Sequence, residues 1–120
     1  MHDRTVTLPT LDAGNVPVFC PPWCRGHAGH TPQHLADLNH QGEELPFYAL
    51  GRTIGGAFLT RYPYAEMASR DPYVFAHLSL DGAGLDPEGL DQLAAALVAH
   101  ASILRRLARE LSVILAGGAR

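Results

Sequence analysis

Both cysteines of the chain and four of its seven histidines fall between Cys20 and His40. No other feature constrains the fold as much. The stretch from 20 to 43 is rich in Pro, Gly and His and has little apolar material of its own to bury. It needs another source of order, and the pattern Cys20-Pro21-Pro22-Trp23-Cys24-Arg25-Gly26-His27 supplies one. Zinc takes four ligands in a tetrahedron, from thiolate sulfur and imidazole nitrogen. Two cysteines can grip one ion if the spacer between them turns. Pro21 and Pro22 stiffen that spacer, so part of its ordering entropy is already lost in the unfolded chain.

His27 follows closely enough to be a third ligand. The fourth comes from His30, His34 or His40. His40 is preferred, because it closes the loop from the far end. His30 is the nearest competitor and is also an alternative to His27. Against zinc stand a pair of buried thiols and a small-loop disulfide. The opening Met-His-Asp-Arg has an acid and no apolar run, so no secretory leader is expected, and a stable disulfide would then be out of place. Trp23, the single tryptophan, reads either as a lid that bridges the site to the core or as an exposed contact for a partner. Burial is the expected outcome for this residue type.

The rest of the chain predicts an α+β domain. Residues 1–19 read as an extended segment in which Thr5-Val6-Thr7-Leu8 alternates as a short strand would, broken by Pro9 and Pro17, with a mobile beginning. Thr31 and Pro32 have the chemistry of a helix start, with a turn or two running to about Leu38. Residues 45–54 and 57–63 read as two strands joined at Gly55-Gly56, and Tyr73 to Leu80 as a third. In that third strand Val74, Ala76, Leu78 and Leu80 share the expected core face. Asp86-Pro87-Glu88 announces a helix, with Asp86 as its cap and Pro87 in its first turn. Gly117-Gly118 ends it. The expected architecture is a zinc-knuckle-like segment over 20–43, a three-stranded antiparallel sheet over 45–80 and one long helix over 86–116. Residues 20–116 form the single domain, with 1–19 as its N-terminal extension.

The helix outruns such a sheet. From Pro87 to Ala116 it spans about 45 Å, whereas strands of this size span about 20–27 Å. The distal part, from about Ile103 to Leu115, needs a second surface. Either the N-terminal segment or a second copy of the helix could supply it. Leu97, Leu104, Leu107 and Leu111 form the candidate seam for a homodimer or an unknown protein partner. His100 sits in the same stripe as an accommodated histidine.

Composition narrows the functional classes. With 120 residues, 47% apolar and 18% charged, the chain can bury one core and is neither multidomain nor disordered. The longest charge-free stretch, Gln92 to Leu104, has 13 residues and is too short to span a bilayer. Nine arginines, no lysine and twelve acids give a net charge of −3. Residues 1–60 carry three Arg and five acids, and residues 61–120 carry six Arg and seven acids. Neither half has the excess of positive charge that duplex binding demands. No nucleophile elbow, P-loop or dinucleotide fingerprint is present.

The Cys20-Pro21-Pro22-Trp23-Cys24 opening, His27, His40 in Asn39-His40-Gln41-Gly42, three strands and an Ala/Leu-rich closing helix resemble a family of small uncharacterised actinobacterial proteins, a domain of unknown function. The resemblance covers residues 20 to about 115 and rests on Cys20, Pro21, Trp23, Cys24, His27 and His40. It implies the architecture and the metal ligands but no activity. One departure is the spacing from Cys24 to His27, which is three residues where many relatives have four. The expectation is therefore a soluble, cytoplasmic, non-enzymatic zinc-binding module with an interaction or regulatory role. The alternative is a single-stranded nucleic-acid-binding or transcription-associated regulator. It draws on the strand aromatics Tyr73 and Phe75 and on Arg105, Arg106 and Arg109, and the net charge opposes it.

Overall fold

The computed structural model describes residues 4–117. Its elements are β1 (Thr5–Pro9), β2 (Asn15–Phe19), a short 3-10 turn (Leu35–Asp37), β3 (His40–Gln41), β4 (Leu45–Ala49), β5 (Arg52–Arg61), β6 (Tyr73–Leu78) and α1 (Pro87–Leu115). They make an α+β fold with a two-stranded and a four-stranded antiparallel sheet and one long C-terminal helix. The expected single three-stranded sheet is corrected in two places.

The first correction is N-terminal. Residues 5–19 are a hairpin, not an extended extension: β1 pairs with β2 from Thr5↔Phe19 to Pro9↔Asn15. Its loop is closed by the Thr10 N–H donating to the Gly14 carbonyl at 2.8 Å, with Gly14 at φ 67°. Pro9 and Pro17 do not break it, because a two-stranded ribbon is all edge and a missing N–H is tolerated there. The hairpin buries Leu8 and Val18 against Leu38, forming a small core of its own. The mobile beginning expected for Met1–Asp3 lies outside the described residues.

The same hairpin explains the fate of Thr31-Pro32. The chain there is drawn out beside the hairpin, with the Leu11 N–H donating to the Gln33 carbonyl at 2.8 Å. Asp12 accepts from the Leu35 N–H at 2.8 Å, so the cap comes from the hairpin loop instead of Thr31. Only the 3-10 turn Leu35–Asp37 remains of the expected helix.

The second correction is the sheet. Thr60 pairs with Gln41 in β3 and with Tyr73 in β6, so β3 joins β4 along one side of β5 and β6 takes the other. The hairpin turn falls at Leu50-Gly51, where φ is 53° and 76°, the paired left-handed geometry that suits a two-residue connection. Gly55-Gly56 lies inside β5. Its reason is close approach: a Cβ on Gly55 would strike the His77 carbonyl, and one on Gly56 would strike the Glu44 carboxylate.

α1 begins as expected. The Asp86 carboxylate accepts from the Gly89 N–H at 2.7 Å, and Pro87 fills the first helical position. The helix ends one residue short of Ala116, with Gly117 left-handed at φ 99°; Gly118 lies outside the described residues. Leu107 packs into the main core with Phe47, Ala49, Ile54 and Ala57, flanked by Leu93, Ala96 and Ile103. His100 is buried beside Phe47 and donates its Nε2–H to the Tyr48 carbonyl at 2.6 Å. The distal surface comes from the Cys/His segment and β5: Pro22 and Trp23, with Leu59 of β5, face Ile114 across a shallow apolar groove. Ile114 is buried there.

β6 departs from expectation. Val74 joins the core. Ala76 and Leu78 are exposed, and Leu80 lies beyond the strand, also exposed. α1 lies beside Ala76 and Leu78 but leaves them uncovered.

Candidate metal centre

The segment from Cys20 to His27 is assembled by short-range backbone bonds. β2 ends at Phe19 and delivers Cys20 into the buried layer. The Cys24 N–H donates to the Pro21 carbonyl at 3.0 Å, which folds the spacer back and turns both sulfurs to one side. The Gly26 N–H then points at Cys24 Sγ, 3.4 Å away, with Gly26 at φ 98°. His40 arrives from the other side, at the start of β3, and is held in register by Arg61 of β5. The Arg25 N–H donates to the Gln41 carbonyl at 3.0 Å and ties the Cys/His segment to that strand.

These elements bring Cys20, Cys24, His27 and His40 together. One donor atom from each lies within 4.8 Å of all the others. Cys24 Sγ is 3.7 Å from His27 Nε2. A tetrahedron with Zn–S and Zn–N bonds of ordinary length has edges of about 3.3–3.8 Å, so the cluster is at or close to coordination size. Both thiols are reduced and buried. His40 is buried too, and its Nδ1 has no hydrogen-bond partner. Leaving such an atom unsatisfied costs about 1–3 kcal/mol, and a metal ion would remove that cost. The edge of Trp23 meets the His40 ring at a centroid distance of 6.4 Å. The tryptophan, half-buried, thus lies against the site on one side and lines the α1 groove on the other.

In the metal-free chain the pocket disfavours charge of either sign. Burial, with Cys24 adjacent, raises the Cys20 thiol to about 11, and the Arg4 guanidinium pulls the other way. Burial, then His27 and Arg61, lowers His40 to about 4. Burial and His30 lower His27 as well. Neutral imidazoles are the form that binds metal, and a divalent cation supplies the positive charge that two thiolates need.

His30 and His34 are not brought to the cluster. His30 Nε2 is 3.2 Å from the Pro9 carbonyl and so pins the Cys/His segment to the first hairpin. His34 is exposed, 3.8 Å from the Asp12 carboxylate. Arg4 was not foreseen. Its Nε donates to the Cys20 carbonyl at 3.0 Å and its guanidinium NH2 to the Cys24 carbonyl at 3.1 Å, clamping both ends of the spacer. Nothing in the sequence pointed to it, because it sits 16 and 20 positions upstream of its partners. Arg4→Ala should leave the chain folded but weaken metal affinity about tenfold or more, the usual penalty for losing a group that orients ligands. Titration against a competing chelator would read this directly; unchanged affinity would make the clamp irrelevant to the site.

A family model for a domain of unknown function, DUF6907, matches residues 5–113. The chain belongs to this family. No curated protein and no solved structure matches it. The DUF6907 match begins at Thr5, the first residue of β1, and runs almost to the end of α1. The N-terminal hairpin is therefore inside the family's common body, along with the Cys/His cluster and the helix. Among the described residues, no helix is long and apolar enough to cross a membrane.

Proposed function

We propose that this DUF6907 chain is a zinc-binding interaction or regulatory module of the cytoplasm, in which the ion is structural and no reaction is catalysed. The observation that carries the reading is the convergence of two buried thiols, His27 and His40 on one point, with His40 Nδ1 left without a protein partner. Two sulfurs and two imidazole nitrogens are a donor set suited to zinc. Four protein donors fill a tetrahedron and leave no position for a substrate, as a catalytic ion would require. The ion would join the end of β2, the Cys20–His27 turn and the start of β3, adding to the small apolar core of Leu8, Val18 and Leu38 beside them. Native mass spectrometry of protein purified without added metal tests this: one zinc per chain is expected. A metal-free chain with reduced thiols would remove the reading.

One observation favours the single-stranded nucleic-acid alternative. Phe58 and Phe75 stack side by side on β5 and β6, ring centroids 5.5 Å apart, with Tyr73 further along the same strand. Aromatics on an open sheet face are a platform for unpaired bases. The Glu44 carboxylate, bonded to His77 at 2.8 Å beside them, and the net charge of −3 make the platform electrostatically wrong. The protein-interaction reading is preferred for that reason.

A further inference from the structure

β6 and the flank of α1 next to it are bare on the same side of the molecule. β6 pairs with β5, and no strand among the described residues pairs with its outer edge. Its sequence, Tyr-Val-Phe-Ala-His-Leu, has none of the Lys, Pro or acidic residues that commonly guard an edge. Leu78 is 64% exposed, and on the helix Leu97 and Leu104 are 46% and 41% exposed. Ala76, Leu78, Leu97, Ala101 and Leu104 line one groove between strand and helix, and no Asp, Glu or Arg enters it. Leu107, by contrast, is committed to the chain's own core.

We propose that a second copy of this chain fills the groove, with β6 against β6 and α1 beside α1, both antiparallel. A two-fold axis normal to the sheet achieves this in one operation. It reverses the strand direction, as antiparallel pairing needs, and keeps both helices on the same face of a continuous sheet. The contact is self-complementary and closed, the usual form of a homodimer. Each copy then covers the leucines that the other leaves exposed.

Charge selects this occupant and this orientation. The cap and first half of α1 carry Asp86, Glu88 and Asp91 and no arginine. The second half carries Arg105, Arg106 and Arg109 against Glu110; Arg106 lies 3.9 Å from Glu110 on the flank away from β6, beside Trp23 and Glu43, which leaves Arg105 and Arg109 as the excess positive charge. An antiparallel neighbour sets the negative half of each helix along the positive half of the other. A parallel neighbour sets like on like. The helix dipoles act in the same sense. The inference does not depend on the metal centre.

Sedimentation velocity of the full chain over a concentration series tests it. The expected species is twice the 12.9 kDa of one chain. Leu97→Glu with Leu104→Glu should give a monomer whose far-ultraviolet dichroism and zinc content are unchanged. A milder pair guards against simple misfolding. Arg105→Glu should raise the dissociation constant about fivefold, and adding Asp91→Arg should recover much of the loss. A wild-type chain that is monomeric throughout would overturn the proposal. So would a dimer that survives both glutamates, or a mass that climbs past two copies. Zinc content measured on the same samples keeps a failure here distinct from a failure of the metal reading.

Discussion

Stripping zinc from the protein is expected to unfold the stretch from Cys20 to His34, ahead of the Leu35 and Leu38 anchors in the hairpin core, while α1 keeps its helical signal. The two halves are held by different forces. α1 lies on β4, β5 and β6 through Leu107, Phe47, Ile54 and Ala57, an apolar core that needs no ion. The Cys/His segment has isolated backbone bonds, such as Cys24 N–H to Pro21 and His30 N–H to His27, both 3.0 Å. Structural zinc contributes on the order of 10–16 kcal/mol in small domains, comparable to the whole stability of an ordinary domain. Hydrogen exchange before and after chelation separates the two. The amides of Cys24, Arg25 and His30 should lose protection, and those of the α1 interior should retain most of theirs. The ligand set makes the same expectation residue by residue. His40→Ala or Cys24→Ser should abolish stoichiometric zinc. His30→Ala and His34→Ala should bind it as the wild type does, since His30 reaches the Pro9 carbonyl and His34 the Asp12 carboxylate. Protection that is the same with and without the ion would mean that the metal does not hold this segment.

The parts of the fold that were legible from sequence are those whose cause is local. Asp86-Pro87 caps α1 through one side-chain bond to Gly89, and the leucine spacing that follows needs no knowledge of the partner surface. Cys20 and Cys24 are close because the spacer is short. What was not legible depends on distant backbone. Gly55-Gly56 is compatible with a turn and with a strand that another strand crowds, and only the position of His77 decides. The actual turn uses Leu50 with a left-handed backbone, for which leucine gives no signal. Pro9 and Pro17 read as breakers, yet they are tolerated because their ribbon has no interior strand, a fact about pairing and not about proline. Among the histidines, loop closure favoured His40, but His30 stayed a competitor on spacing. The β1–β2 hairpin separates them, by offering His30 a carbonyl, while β5 carries His40 into the buried layer. The helical stripe was legible as apolar, but its division between the chain's own sheet and an open flank was not.

That division gives the second large effect. Leu107→Ala is expected to destabilise the protein by about 3 kcal/mol, and Leu104→Ala by less than about 1 kcal/mol at concentrations where the chain is monomeric. The two residues are three positions apart on one helix, yet Leu107 is 4% exposed and Leu104 is 41% exposed. Deleting a buried leucine side chain loses its transfer free energy and leaves a cavity, together about 2–5 kcal/mol. The neighbours of Leu107 in the core include Ala57, in the middle of β5, and Ala49 at the end of β4; small side chains on strands fixed by their ladders have little freedom to close the gap. Leu104 already has much of its surface in water and has less transfer free energy to lose. Urea unfolding followed by dichroism at 222 nm gives both values. The concentration dependence adds what a single midpoint cannot. The Leu107→Ala loss should be the same at every protein concentration, because its contacts lie within one chain. The Leu104→Ala loss should grow as concentration rises and the wild type gains stability from association. Equal and concentration-independent losses would mean that α1 uses its whole stripe on its own sheet. A Leu107→Ala loss that grew with concentration would place Leu107 in the seam instead.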